Sequence, residues 1–243
     1  MGEAAHNRVR VAMWSGPRNI STALMRSWGS RPDTAVVDEP LYACYLAATG
    51  RDHPGREEVL ASQSTDWREV AGSLTGPVPG GRPVYYQKHM AHHLLPEMGR
   101  KWLDDLRHAF LIREPAAMLA SLARVWPDAE LPDTGLPQQV DLFRREADRL
   151  GRPPPVVDAA ALLADPHGQE NRFQETFGEY HGVRLTLTQR IVWSGRWKFV
   201  YNGFDEDELY DLTCAGAQHL ADADLLDPVT QGEGRHHKQP EAG

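Results

Sequence analysis

The residues best suited to chemistry fall in a few short segments, and the first is Ser15-Gly16-Pro17-Arg18-Asn19-Ile20-Ser21-Thr22. It follows a β-branched apolar run, Arg8 to Trp14, and precedes Ile20, Leu24, Met25 and Trp28 at helical spacing, so it reads as a strand, a turn and a helix start with Asn19 or Ser21 as cap. A glycine-bearing turn that feeds a helix N-terminus offers unpaired backbone N–H groups and the positive end of the helix dipole. Arg18 adds a full charge, and Ser21 and Thr22 add hydroxyl donors. That combination holds a phosphate or a sulfate. Where a nucleotide triphosphate loop carries Gly-Lys before Ser or Thr, this chain has Ile20-Ser21, and no clear magnesium-binding Asp follows a later strand, which disfavours ATP hydrolysis.

The second segment is Phe110 to Ser121, in which Arg113 leaves an apolar strand and Ser121 follows about two helical turns later. Arg113 at that place serves either as a second anion contact or as a salt-bridge partner for Glu114. Two candidate bases stand near other strand ends: Glu39 in Asp38-Glu39-Pro40, and His89 in Tyr86-Gln87-Lys88-His89-Met90. Each has a plainer reading, Glu39 as a carboxylate at a helix N-terminus and His89 as a buried imidazole bonded to backbone. His89, His92 and His93 would share a face if helical, but no nearby Cys or acidic pattern completes a metal site, and no metal is expected.

The elements that must position these residues alternate. Strands are expected at 8–14, 34–37, 83–87, 109–112 and 156–157. Helices are expected after the first loop, over 41–48, in short pieces within 50–81, through Leu94, Leu95 and Met98, from Pro115 onward, and over 159–177 with a break near Asp165-Pro166. This cadence predicts an α/β fold with a parallel sheet flanked by helices, whose functional residues gather beyond the strands' C-terminal ends. After Gly178 the pattern alternates every second residue, with a hairpin around Trp193 to Trp197, and predicts a small antiparallel segment. The organisation read from the sequence is therefore 1–177, 178–230 and a loose tail over 231–243.

The 243 residues are 41% hydrophobic and 25% charged, enough to bury a substantial core. Lys+Arg 26 against Asp+Glu 34 gives a net charge of −8, which argues against nucleic-acid and anionic-membrane partners and confines any phosphate site to a local basic pocket. Cys44 and Cys214 lie far apart without ligand spacing, and the N-terminal residues carry no apolar stretch, so a reducing cytoplasm is the expected compartment. Oligomeric state has no sequence signal.

The two anion segments together resemble the sulfotransferases that use 3′-phosphoadenosine 5′-phosphosulfate (PAPS), over roughly residues 8–177. The family's Pro-(Lys/Arg)-Ser-Gly-(Thr/Ser)-(Thr/Ser) loop is matched at Pro17, Arg18, Ser21 and Thr22, and departs at Asn19 and Ile20. Its second motif, an Arg after the strand and a Ser eight residues on, is matched by Arg113 and Ser121 with Pro115 between them. The resemblance implies a P-loop-like fold, PAPS as co-substrate, the 5′ end held by the segment Gly16 to Thr22, and the 3′-phosphate held by Arg113 and Ser121. It further implies Lys88 beside Arg18 on the phosphosulfate, Glu39 or His89 as base, and a small hydroxyl or amine acceptor. Residues 178–228 are instead similar to the C-terminal region of arylsulfatases, without the sulfatase nucleophile motif. The leading expectation is sulfuryl transfer; a non-catalytic binding protein with this fold, or less favoured a P-loop phosphotransferase, stands beside it.

Overall fold

The computed structural model describes residues 8–165, Phe173, and the strand residues 189–194, 197–202, 208–211 and 218–219. Five parallel strands form the main sheet: β1 (Val9–Ser15), β2 (Thr34–Asp38), β3 (Val84–Met90), β4 (Arg107–Ile112) and β5 (Val156–Asp158), in the order β2-β3-β1-β4-β5. The helices between them are α1 (Ser21–Gly29), α2 (Tyr42–Thr49), α3 (Arg56–Ser62), α4 (Trp67–Thr75), α5 (Pro115–Leu122), α6 (Leu136–Leu150) and α7 (Ala159–Ala164).

Strand β1 is central and is covered on both sides, so its side chains divide by parity between two cores. Val11 and Met13 join Leu24 and Trp28 of α1, Tyr86 of β3, Leu111 of β4 and Leu162 of α7 on one face. Ala12 and Trp14 join Leu41, Cys44, Leu74 of α4, Phe110 of β4 and Leu142 of α6 on the other. Trp28 stacks on Tyr86 with ring centres 5.0 Å apart, and neither Trp14 nor Trp28 is exposed to solvent. Burying a side chain of this size contributes about 2–3 kcal/mol, so the two tryptophans anchor one helical layer each.

The strand order has a functional consequence. The chain leaves β1 toward β2 on one side, while β4 lies on the other side, so the C-terminal end of β1 opens at the point where the connections diverge. In open parallel sheets that crevice is where ligands sit.

The structure corrects several expectations. Strand β3 runs on through Lys88, His89 and Met90 instead of stopping at Gln87, paired in register with β1 from Val9↔Val84 to Ser15↔Met90. The residues after it form only a short 3-10 turn, Ala91–His93, so there is no helix to place His89, His92 and His93 on one face. Helix α1 is capped by neither Asn19 nor Ser21; its N-cap is Ile20, in the left-handed region at φ 56°, with no side-chain cap. Helix α6, absent from the sequence expectations, covers the second core. In the C-terminal part, β6 (Gln189–Ser194), β7 (Trp197–Asn202), β8 (Glu208–Asp211) and β9 (Gln218–His219) form a four-stranded antiparallel sheet, with Ser194 paired to Trp197 at the expected hairpin. Of the helical expectation beyond Asp165 only Phe173, helical and buried in the first core, is described; the start of the expected strand at Val183 and the 231–243 tail lie outside the described residues.

Candidate functional site

The site is built from the loop after β1. Arg18 and Ile20 both take left-handed backbone conformations, at φ 61° and 56°, and the only other non-glycine residue among the described ones to do so is Glu39, at φ 44°. A left-handed residue with a Cβ costs about 1–2 kcal/mol, more for a β-branched one. All three strained positions fall just beyond the C-terminal ends of β1 and β2, which is where strain held by the surrounding fold points to a working site.

This kinked path turns the Asn19 side chain inward, where its Nδ2 donates to the Leu111 carbonyl at 3.3 Å and ties the loop to β4. It leaves the first turn of α1 without a side-chain cap and without an acidic residue. The first-turn N–H groups are therefore open to an anion. Ser21 is buried at the helix start, and Thr22 is exposed one position later.

The second segment meets the first. Arg113, leaving β4, donates from Nη1 to the Arg18 carbonyl oxygen at 2.7 Å, and Arg18 Nε donates to Ser121 Oγ at 3.1 Å. Residues some hundred positions apart in sequence thus join around one crevice. Neither guanidinium forms an ion pair with a carboxylate among the described residues. The salt bridge expected as the plain role of Arg113 does not form, because the Glu114 carboxylate caps α5, accepting from the N–H groups of Ala116 and Ala117 at 3.0 and 2.6 Å. Those two hydrogen bonds hold the Glu114 pKa below the usual range. The N-terminus of α5 is occupied by its own carboxylate, whereas that of α1 is not.

At the ends of β2 and β3, Lys88 is 3% exposed and its Nζ sits 2.7 Å from both Asp38 Oδ1 and Glu39 Oε1. Burial alone would lower its pKa, but the Glu39 and Asp38 carboxylates outweigh burial and raise it, so the ammonium stays charged. Lys88, expected to stand with Arg18, is instead clamped between two carboxylates. Glu39 continues the β2–β3 ladder through its N–H to the Lys88 carbonyl at 3.0 Å and then turns the chain into α2. Its side chain remains 26% exposed, open enough to meet a ligand.

His89 is placed differently from the expectation. As an interior residue of β3 it points into the second core, 1% exposed and stacked on Trp14 with ring centres 4.4 Å apart, and its Nε2 meets Gln87 Oε1 at 3.2 Å. Burial, with His108 nearby, pushes its pKa down to about 3. The His89 imidazole is sealed under Trp14, so of the two candidate bases only Glu39 keeps a side chain open to solvent at the strand ends.

Behind the loop, Gly16 and Asn19 of the expected segment meet Gln139, which has no motif-level signal. Gly16 packs so closely that a Cβ there would stand 2.5 Å from the Thr134 carbonyl oxygen. Gln139 of α6 approaches the same spot and is 5% exposed with neither amide atom partnered, and the buried Oδ1 of Asn19 is likewise unpartnered. These amides line the floor beneath the anion loop. Among the described residues there is no group of three or more His, Cys, Asp or Glu side chains able to hold a metal ion, and no helix long and apolar enough to cross a membrane.

Two Arabidopsis thaliana proteins, Branched-chain-amino-acid aminotransferase-like protein 1 and protein 2, are 38% and 33% identical to this chain over 156 residues. That stretch is 64% of this chain but 28% and 27% of those proteins, so the chain spans little more than a quarter of the relatives it matches. A sulfotransferase crystal structure from Alicyclobacillus acidocaldarius is similar over 72% of this chain and 81% of its own, with a TM-score of 0.47 and 13% sequence identity. Residues 9–186, which contain both anion segments and the Glu39–Lys88 pair, match the family model described as a sulfotransferase domain, and the chain belongs to that family.

Proposed function

We propose that this chain transfers a sulfuryl group from PAPS to a small hydroxyl or amine acceptor. The observation that carries this reading is the junction of Arg18, Arg113 and Ser121 at the opening beside β1, two guanidiniums with no carboxylate partner among the described residues of a chain of net charge −8. A doubly anionic nucleotide supplies the missing charge at both ends. In this reading Gly16 to Thr22 and the open first turn of α1 receive the phosphosulfate, while Arg113 and Ser121 receive the 3′-phosphate.

The chemistry asks little covalent work of the protein. The acceptor oxygen or nitrogen forms a bond to sulfur as the bond from sulfur to the bridging phosphate oxygen breaks, and adenosine 3′,5′-bisphosphate leaves. Positive groups stabilise the charge that builds on the departing phosphate, which is the role of Arg18. Glu39 takes the acceptor proton, and Lys88 holds that carboxylate in place. No metal enters these steps. The expected resemblance of residues 178–228 to arylsulfatase C-termini enters no step of this scheme.

Calorimetry with adenosine 3′,5′-bisphosphate tests the donor side. Saturable binding that is lost in Arg18→Ala supports it, and unchanged binding in that variant overturns it. Transfer of labelled sulfate from PAPS to any acceptor in a broad panel separates an enzyme from a binding protein with the same fold.

A further inference from the structure

Asn19 stands between Arg18 and Ile20, the two left-handed residues of the anion loop, and is 2% exposed. Its Nδ2 donates to the Leu111 carbonyl, but its Oδ1 is buried with no partner. Asparagine is among the strongest helix caps, and a capping Oδ1 accepts from N–H groups of the first turn. The residue beside α1 best able to cap it is therefore turned away from it, and those N–H groups stay open.

An unpaired donor lies close by. Gln139, in the first turns of α6, is 5% exposed, and neither its Nε2 nor its Oε1 has a partner. Nε2 comes within 3.3 Å, and Asn19 Nδ2 within 3.6 Å, of the point where a Cβ on Gly16 would stand. The base of Gln139 is fixed against the same loop. Its backbone N–H donates to the Gly135 carbonyl at 2.9 Å, and a Cβ on Gly135 would stand 3.6 Å from Gly16 Cα. Asp133, two residues before Gly135, pairs with Arg51 at 2.9 Å, so the turn that leads into α6 is itself anchored. Buried amide atoms are nearly always paired, and three orphan atoms on two side chains that meet at one glycine point to a bond between those side chains.

We infer that Gln139 is a positioning residue for the anion loop: its Nε2 donates to Asn19 Oδ1, holds that side chain inward, and so keeps Asn19 from capping α1 in competition with the anion. The bond joins an orphan donor to an orphan acceptor, leaves Asn19 Nδ2 on Leu111, and requires no space for a further molecule behind the loop. Without it a second arrangement is open to the chain, in which Asn19 swings out to cap α1 and Ile20 relaxes from φ 56° into the helical region. That arrangement relieves strain in the empty protein and opposes binding, because the cap occupies N–H groups that an anion uses. Gln139 acts through Asn19 and touches no ligand. The inference rests on the sulfuryl-transfer reading in taking this loop as the anion site.

The test uses the full chain and two probes, adenosine 3′,5′-bisphosphate and inorganic pyrophosphate, with affinity from calorimetry and stability from urea unfolding without ligand. Gln139→Met, which keeps the length and removes the amide, should weaken binding about tenfold, the strength of an asparagine cap, while stability without ligand stays level or rises. Gln139→Leu serves where the methionine variant does not fold. A residue that merely supports the fold would lose stability on this change, so a fall in stability overturns the inference, as does unchanged affinity. Asn19→Ala removes the competing cap together with the tether to Leu111. It should bind more weakly than the unaltered chain, and adding Gln139→Met to it should change affinity by less than about twofold. A tenfold loss in that background as well, or no binding by Asn19→Ala alone, overturns the inference. Equal binding of the nucleotide by the unaltered chain and Gln139→Met counts against the inference and leaves the donor reading standing. Binding of pyrophosphate without the nucleotide counts against the donor reading, and Gln139 is then judged on pyrophosphate. Binding of neither overturns both.

Discussion

Arg113 Nη1 lies 2.7 Å from the carbonyl oxygen of Arg18, so one arginine at the tip of β4 holds the backbone of another in the loop after β1. The contact has two effects. It braces the left-handed turn at Arg18, and it ties the tip of β4 to the loop whose own arginine side chain reaches Ser121 of α5. Arg113→Ala removes the loop brace and, in the proposed reading, a phosphate ligand. Charge-assisted hydrogen bonds contribute about 1.5–3 kcal/mol, so affinity for adenosine 3′,5′-bisphosphate should fall by about 10- to 100-fold by calorimetry. Ser121→Ala, which removes a neutral contact to Arg18, should cost less than Arg113→Ala; the reverse order would remove Arg113 from the site.

Glu39 and Asp38 share Lys88, but they are not equivalent, because only Glu39 stands in a strained backbone position at the mouth of the crevice. Glu39→Gln should lower kcat by about 10²- to 10⁴-fold with little change in nucleotide affinity, while Asp38→Asn should lower it far less. Equal losses would make the pair a structural clamp. Lys88 also sets an alkaline limit. Its pKa is raised in the fold, so its contribution is complete below the ordinary value of 10.5 and is lost as pH rises through the higher folded value. Lys88→Met should therefore flatten the alkaline arm of the stability profile measured by urea unfolding.

The sequence made the parallel sheet and the turns from β1 into α1 and from β4 into α5 legible because each depends on local pattern: β-branched runs, turn residues, and Pro115 at a helix start. What it hid depends on tertiary partners. Lys88-His89 reads as a strand end because charged and polar residues rarely occupy a fully covered strand, yet here Gln87 is paired with the Leu74 carbonyl, Lys88 with two carboxylates, and His89 with Gln87 through Nε2, its Nδ1 staying unpaired. Tyr42 and Tyr45 of α2 pack on His93 of the 3-10 turn after β3, and His53 packs on Trp126 from two separate loops, at spacings that no motif connects. Gln139 reaches the anion loop from a helix whose position only the packing of Leu142 and Glu146 reveals.

Buried histidines should make the fold sensitive to mild acid. His89, His92 and His108 have pKa values pushed down to about 3, 4 and 4, and His93 lies well below 6.5, all chiefly through burial. The unfolded chain binds protons at these sites near pH 6.5 while the folded chain does not, so stability is complete above that value and is lost as pH falls toward the folded values. Each site contributes a slope of up to about 1.4 kcal/mol per pH unit in that window. His108 is held in one tautomer, its Nδ1 accepting from Trp14 Nε1 at 2.9 Å and its Nε2 facing the Leu103 carbonyl at 2.8 Å. His89→Gln should reduce the slope between pH 6 and 4 in urea titrations; an unaltered slope would mean that His89 is protonated in the fold.

Gly16 resembles a phosphate-loop glycine, but its constraint comes from behind. A Cβ there would stand 2.5 Å from the Thr134 carbonyl oxygen, and Gly135, at φ 69°, packs against the same point. Backbone cannot yield as a side-chain tip can, so Gly16→Ala has to push the 131–135 turn outward. The expected loss is about 1–3 kcal/mol of stability. Nucleotide affinity should change less than in Arg18→Ala, because the displaced backbone lies behind the loop; the opposite ranking by calorimetry would place Gly16 on the ligand.

Ile20 carries the sharpest test of how the loop is held. An isoleucine at φ 56° pays the left-handed cost of about 1–2 kcal/mol, and its side chain recovers part of that by packing against the first core. Alanine at this position keeps the backbone cost and gives up the packing. Glycine gives up the same packing but removes the backbone cost, against which its greater freedom in the unfolded chain weighs by about 0.4–1 kcal/mol. Ile20→Gly should therefore be more stable than Ile20→Ala in urea unfolding, the reverse of the order found where a residue sits in ordinary helical or extended backbone. If alanine proves the more stable of the two, Ile20 is not left-handed in solution, and the open first turn of α1 that depends on that geometry is lost with it.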